Sequence, residues 1–438
     1  MRKAFISILC CLTSICASAE GYQINTLSAR QLGMAHTGVA LKLGAESMIF
    51  NPAGLGFSQN TLDFSGTLTG IKAYATATYK GSDYKTDNGI STPIAFNAAF
   101  KAYDNLQLGV SFYTPYGSSI NWTKNWPGAI LNQNVDLKVY TIQPTLSWRI
   151  TPKLSVGAGL TIGWGSVNLN KGLVSPSSLD QVLALTGVPA RFEDTTPASV
   201  NLTGKSQVAL GANIGVMYDI SKNITVGASI RTKMNMKVKS GEASVDYANE
   251  IARGILEEKL NLIHSANFSA SMPCPYVLTF GASWKPVEKL TLAFDAQLTG
   301  WKTYKSLNID FLDSKLDPFD QHLTKNYKNA WCFRIGSEYA VTKRLDARLG
   351  LMIDTTPVNK SHYNPETPGM TKIGPSAGVS FYPVKSLAID FSFMYVAGTG
   401  EKNASCSYDD LLLYKKEVFT ADYKVHAFTP SIGLRYSF

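Results

Sequence analysis

Phe428-Thr429-Pro430-Ser431-Ile432-Gly433-Leu434-Arg435-Tyr436-Ser437-Phe438 closes the chain, and every second residue in it is apolar. Phe428, Pro430, Ile432, Leu434, Tyr436 and Phe438 form one set; Thr429, Ser431, Gly433, Arg435 and Ser437 form the other. A period of two belongs to an extended strand, which turns the two sets to opposite faces. A soluble sandwich buries the apolar set, whereas a membrane barrel turns it outward to lipid. Which solvent touches Ile432 and Leu434 therefore decides the fold.

Working back from that end, the same alternation recurs over 154–164, 208–220, 224–238, 276–284, 345–353 and 387–397. Weaker segments lie near 61–79, 93–101, 106–117, 138–148, 290–300, 330–339 and 373–383, the first slipping phase near Gly70. With the C-terminal stretch they make fourteen predicted strands, an even number as in single-chain bacterial barrels. Charge segregates with the alternation. The apolar faces carry none, while the opposite faces carry Arg231, Lys233, Lys237, Asp295, Arg334, Glu338, Asp346, Arg348 and Asp390. A lysine or arginine facing midplane lipid costs ~2–4 kcal/mol, so the charged faces are expected to line the lumen.

Connection lengths alternate as well. Short turns at 103–105, 151–153, 221–223, 286–288, 342–344 and 384–385 separate long loops near 80–92, 118–134, 165–205, 240–275, 301–329, 354–372 and 398–425. Both ends of the barrel then fall on the periplasmic side, an ordering for which a sandwich has no reason. The expected fold is all-β, a 14-stranded antiparallel transmembrane β-barrel over residues 61–438.

Composition agrees. Of 438 residues only 17% are charged, against roughly 25% in soluble domains, while 11% are aromatic and 35 are glycine. Past the first twenty residues no run of about 18 apolar residues exists, which excludes a helical membrane protein. Arg2 and Lys3, the apolar stretch 4–15 and Ala17-Ser18-Ala19 read as a secretory signal peptide over 1–19. Its removal takes two positive charges from the formal +9, leaving 9 − 2 = +7. It also removes Cys10, Cys11 and Cys16; the remaining Cys274, Cys332 and Cys406 form neither a disulfide framework nor a metal motif. For an exported basic chain anionic outer-leaflet lipid is a better partner than nucleic acid, and lysines scattered and solvated on loops account for the balance more simply than either. His36, His264, His322, His362 and His426 are scattered, and no H-E-x-x-H, G-x-S-x-G or nucleotide loop occurs. No catalytic residue, metal site or cofactor is expected.

Residues 20–60 do not alternate. They are Gly-rich, lead into Asn51-Pro52-Ala53-Gly54, and hold Tyr22, Ile24, Leu27, Leu32, Met34, Ile49 and Phe50, which need burial. A barrel of this size leaks unless obstructed, so the segment is expected to form a hatch inside it. In the loops over 165–205 and 240–275, Leu179, Val182, Leu183 and Leu185, then Ile251, Ile255, Leu260 and Ile263, recur at helical spacing. They suit either helices packing on each other over the barrel mouth or a groove that catches a lipidic substrate. At Pro115-Tyr116-Gly117, proline removes a ladder donor and glycine commonly marks a bulge; the choice lies between a strand end and a kink.

The segment Gly21-Tyr22-Gln23-Ile24-Asn25, with Gly33, Ala35, Gly38 and Asn51-Pro52-Ala53, resembles the N-terminal hatch of the FadL/TodX family. These are outer-membrane channels for long-chain fatty acids and aromatic hydrocarbons. The resemblance continues through Tyr116-Gly117, Trp122, Trp126-Pro127-Gly128, Thr299-Gly300-Trp301, Tyr327-Lys328-Asn329-Ala330-Trp331, Arg348-Leu349-Gly350 and Asp354-Thr355-Thr356-Pro357-Val358. Leu43-Gly44-Ala45-Glu46 departs from it, standing where members often carry more acid. The resemblance implies a gate containing Gly21, Tyr22, Asn51, Pro52 and Ala53. It also implies a kink at Pro115, Tyr116 and Gly117 that opens the wall sideways, with Asn51 lying against it. Capture would fall to the two loops through Leu179, Leu183, Ile251 and Ile255. Lys171 would line an inner pocket, and Lys325 or Lys328 would lie near a second basic position able to pair with a carboxylate. The function implied is passive uptake of hydrophobic compounds, fatty acids or aromatic hydrocarbons, by a monomer in the bacterial outer membrane. Phe438 would be its signal to the barrel-assembly machinery. The alternatives are an adhesin-like barrel on the same scaffold and an outer-membrane lipase.

Overall fold

The computed structural model describes residues 21–189, 191–260 and 265–438; the signal peptide read at 1–19 and Ile263 lie outside them. Fourteen antiparallel strands close into one barrel. Several are interrupted once and then resume. In chain order they are β1 (Leu62–Thr69 and Lys72–Tyr79), β2 (Ser82–Lys85 and Ile94–Tyr103), β3 (Leu106–Asn121), β4 (Asn134–Arg149) and β5 (Leu154–Val174). Next come β6 (Ala198–Lys205 and Ala209–Asp219), β7 (Ile224–Arg231 and Met234–Tyr247), β8 (Ser265–Cys274 and Val277–Val287) and β9 (Leu290–Thr299 and Ser306–Phe311). The last are β10 (Gln321–Thr324 and Ala330–Thr342), β11 (Leu345–Asp354), β12 (Lys372–Val384), β13 (Leu387–Gly398 and Glu401–Asp410) and β14 (Lys415–Ser437). Each pairs with its chain neighbours, and β14 returns to β1 with Leu68 opposite Ile432 and Phe64 opposite Tyr436. The break in β1 falls at Gly70, where the alternation slips.

The C-terminal strand settles the question of faces. Ile432 is 44% and Leu434 53% exposed, while Thr429 and Ser431 are 2% and 6% exposed. Leu146, Trp148, Leu160, Ile214, Phe294 and Phe391 are exposed in the same way around the wall. Apolar side chains outside and Asp295, Arg334, Arg348 and Asp390 buried inside are the pattern of a lipid-facing barrel.

Lys233 and Lys237 depart from the expected lumenal placement. β7 breaks after Arg231 and resumes with its faces exchanged: Ile230 points out, but Met234, Met236 and Val238 point in, leaving Lys233 and Lys237 exposed outside. A short break restarts the two-residue period in the other phase.

At the long-loop end the strands also run further than their alternation suggested. β5 continues to Val174 and β6 begins at Ala198, so the 165–205 loop is part wall. Along β4 the inward face changes character, with Ser147, Thr145, Gln143 and Thr141 followed by Val139, Leu137 and Val135, all buried. β5 does the same, from Ser155 and Thr161 to Val167 and Leu169. Its outward residues there are Ser166, Asn168 and Asn170, which place the extension above the bilayer.

Residues 21–60 lie within the polar half of this interior. They hold two single-turn helices, α1 (Ala29–Leu32) and α2 (Ser47–Phe50), and a 3-10 turn, Pro52–Phe57, but much of their main chain lacks regular partners. The wall supplies them. Gln143 Nε2 donates to Met48 O (2.7 Å), Ser229 Oγ to Phe50 O (2.9 Å) and Ser283 Oγ to Ala40 O (2.8 Å). Asp295 accepts from the Gly38 and Val39 amides at 2.7 and 3.2 Å, and Arg30 forks onto Glu338 at 3.1–3.2 Å. The polar inward face and the irregular segment satisfy each other, as buried backbone requires. Close approach depends on glycine in the wall: a side chain at Gly157 would overlap Pro52, and one at Gly215 would overlap Asn51.

Candidate functional site

Two adjoining cavities occupy the barrel above that segment. The lower, about 90 Å³, is lined by Val135, Leu137, Val139, Leu169, Met236, Val238 and Phe268 from the wall, with Tyr22 and Tyr304 beside them. The upper, about 250 Å³, opens toward the long loops and holds Lys171, Lys325, Gln321, His322 and Asn364. Leu202 and Ile309 line both, so one continues into the other. An apolar tube below a mouth that holds Lys171, Lys325 and Lys416 beside Asp320 and Asp409 suits a molecule with a greasy tail and a polar head.

Each lysine is set differently. Lys171, part-buried on the upper extension of β5, donates to Gln321 Oε1 at 3.1 Å, and burial pushes its ammonium below the usual lysine range. Lys325 is 1% exposed, pairs with Glu366, and sits 6.0 Å from the Tyr304 ring. Lys328 is exposed and lines neither cavity. Glu366 comes from the 354–372 connection, which folds inward and buries Tyr363, Asn364, Pro365 and Glu366. Trp122 Nε1 holds Pro365 O at 2.9 Å, and Tyr327 and Thr367 join their hydroxyls at 2.8 Å.

Pro115-Tyr116-Gly117 lies inside β3 rather than at its end, at an irregularity of the ladder. Pairing with β2 reaches Tyr113, opposite Ala95, and the register with β4 shifts between Tyr113 and Tyr116. Beyond that point the edge of β3 turned away from β4 meets the N-terminal segment. Ile24 N donates to Pro115 O, and Gly117 N donates to Tyr22 O, both at 2.9 Å. Tyr22 also stands edge-on to Trp301, with ring centroids 4.7 Å apart, and its hydroxyl bonds Pro273 O. Gly21 packs on the same Trp301 ring.

Asn51 lies elsewhere. Its Nδ2 donates to Val39 O (2.8 Å) and to Val216 O of β6 (3.0 Å), while Oδ1 accepts from Ala53 N (3.1 Å). The contact with Pro115 and Gly117 thus belongs to Tyr22 and Ile24, because Asn51-Pro52-Ala53 turns against β5 and β6. Leu179 and Leu183 of α3 (Pro176–Thr186) are fully buried in one cluster with Val174, Phe192, Ala198 and Val245, which also takes in Ala252, Leu256 and Leu260 of α4 (Glu250–Leu260). Ile255 packs against that cluster, and Ile251 is 46% exposed on the outside. The apolar faces of both loop helices are therefore covered within this shared cluster, and Leu179 and Leu183 offer no free groove.

Glu366, Tyr304 and the apolar upper face of β4 escape sequence reading. Val135, Leu137 and Val139 alternate too, but in the phase assigned to the lumen. Glu366 sits in a loop with no period at all.

The chain matches the family model "Outer membrane protein transport protein (OMPP1/FadL/TodX)" over residues 10–438. Outer membrane protein P1 of Haemophilus influenzae is 23% identical over 96% of this chain and 96% of its own length. The long-chain fatty acid transport protein of Escherichia coli K12 is 21% identical over 91% of this chain and 93% of its own. Among solved structures, a Pseudomonas aeruginosa FadL homologue shares the fold with a TM-score of 0.79 at 18% identity, covering 95% of this chain and 100% of that one. The Pseudomonas putida toluene transporter TodX does so with 0.70 at 17%, covering 94% and 99%. This chain belongs to the OMPP1/FadL/TodX family and is a β-barrel of the outer membrane.

Proposed function

We propose that the protein carries a long-chain fatty acid, or an amphiphile of the same build, from the outside into the outer membrane. The observation that carries this reading is the double position of Tyr22. Its side chain lines the apolar cavity, and its carbonyl oxygen is bound to Gly117 of β3. Residues 21–60 then act as a hatch: a substrate that displaces Tyr22–Ile24 uncovers the edge of β3 and passes sideways into lipid. A tail gains ~0.8 kcal/mol per buried CH₂ there and nothing from a watery channel. Lys171 and Lys325 at the mouth favour an acid over a plain hydrocarbon. Loop capture rests on the outer apolar residues Ile251 and Leu185 rather than on Leu179 and Leu183. No bond of the substrate is made or broken, and no energy source is required.

The test is Gly117→Val. A Cβ at this position approaches Ile24 Cδ1 to 3.1 Å and Leu137 O to 3.2 Å. Uptake of a radiolabelled long-chain acid is expected to fall severalfold while the amount of folded barrel in the membrane stays the same. Undiminished uptake would remove the lateral route.

A further inference from the structure

The Lys325–Glu366 pair stands at the junction of the two cavities. Lys325 lines the upper one, Glu366 lines the lower one, and Tyr304 lies beside both. Asn364 Oδ1 caps the Glu366 amide at 3.0 Å, and the Trp122 and Tyr327 contacts fix the loop on either side. Glu366 is thus a carboxylate presented by a rigid loop to a buried ammonium, with an apolar tube beneath. A fatty acid that enters tail first would bring its own carboxylate to this place.

We infer that Glu366 is a resident stand-in for the substrate head group: it occupies Lys325 until an incoming carboxylate replaces it, and so bars the passage to molecules that lack one. The inference rests on the fatty-acid reading above. An uncharged hydrocarbon offers Lys325 nothing in exchange, and breaking a buried ion pair without replacement is strongly unfavourable. A carboxylate makes the exchange nearly even. Glu366 then tunes selectivity by competing with the ligand, whereas Lys325 is the group both compete for. Unlike Lys325, the competitor is a residue whose loss strengthens binding.

The experiment titrates detergent-solubilised full-length protein with palmitic acid and with methyl palmitate, following tryptophan fluorescence. Wild type is expected to prefer the acid. Glu366→Gln keeps the size and the loop contacts; it is expected to tighten the acid about tenfold or more and to leave the ester unchanged. Acid binding that does not tighten, or tightens no more than the ester, overturns the inference. The double variant Lys325→Met/Glu366→Gln removes both charges, a replacement that buried pairs usually tolerate, and is expected to lose the gain seen in Glu366→Gln. A double variant that keeps the gain also overturns it. Failure of the underlying reading looks different: wild type and Lys325→Met would then bind acid and ester alike.

Discussion

Asn51 shows how much one side chain can fix. All its polar capacity goes to main-chain groups, two of them within the N-terminal segment and one on β6, 165 residues away in sequence. Replacing it with alanine orphans buried carbonyls, each costing about 1–3 kcal/mol. Asn51→Ala is expected to leave the barrel intact but to loosen residues 21–60, seen as faster proteolytic clipping of that segment and larger single-channel conductance in planar bilayers. Equal clipping would place the anchor elsewhere. Lys171 gives a second residue-scale expectation. Burial lowers its ammonium below the ordinary lysine range, so its charge is lost on alkalinisation earlier than that of a surface lysine. Preference for acid over methyl ester should fall as pH rises through that lowered value, and Lys171→Met should abolish the pH dependence. The sequence marks Asn51-Pro52 only as a turn, because a hydrogen bond to a distant strand leaves no local trace.

At the scale of the element, alternation is read from composition, but its meaning changes along a single strand. On β4 the inward set is polar beside the N-terminal segment and apolar beside the lower cavity. The fourteen strands were legible because their outward residues face one solvent throughout the membrane. Their upper extensions were not, because outside the bilayer neither face has to be greasy. The same loss of reference hides the exchange of faces in β7, which put Lys233 and Lys237 outside. It also left α3 and α4 open between groove and mutual cover, since a helical period gives a face and not its partner. The cavity wall makes this testable. Leu137→Asp places a charge among Val135, Val139 and Leu169, where nothing pairs with it. Affinity for a long-chain acid should drop ten- to a hundredfold, equivalent to about 1.4–2.8 kcal/mol, with unchanged heat-modifiable migration of the folded barrel. A drop confined to the acid and absent for the methyl ester would mean that Leu137 acts on the head group and not on the tail.

Across the whole molecule, one inversion organises everything: grease outside, polar groups and glycine inside. It explains why 35 glycines and few charges coexist. The wall must stay uncharged toward lipid and must present bare backbone toward a segment threaded through its lumen, as at Gly157 and Gly215. Closure depends on the last strand, which pairs with both β1 and β13 and holds Ile432 opposite Leu68 and Phe391. Ile432 lies six residues before Phe438, within a stretch of about the 9–11 residues a tilted strand needs to span the hydrocarbon. Ile432→Arg therefore puts a cation near midplane lipid at a cost of ~2–4 kcal/mol, while Lys237→Arg, on the extension above, changes nothing that lipid feels. The first variant should lower the urea midpoint for unfolding from liposomes and reduce the yield of folded protein; the second should match wild type. If both variants behaved like wild type, residue 432 would not face hydrocarbon. The alternation from which the barrel was read would then face water, and the proposed sideways release of a fatty acid would have no lipid to receive it.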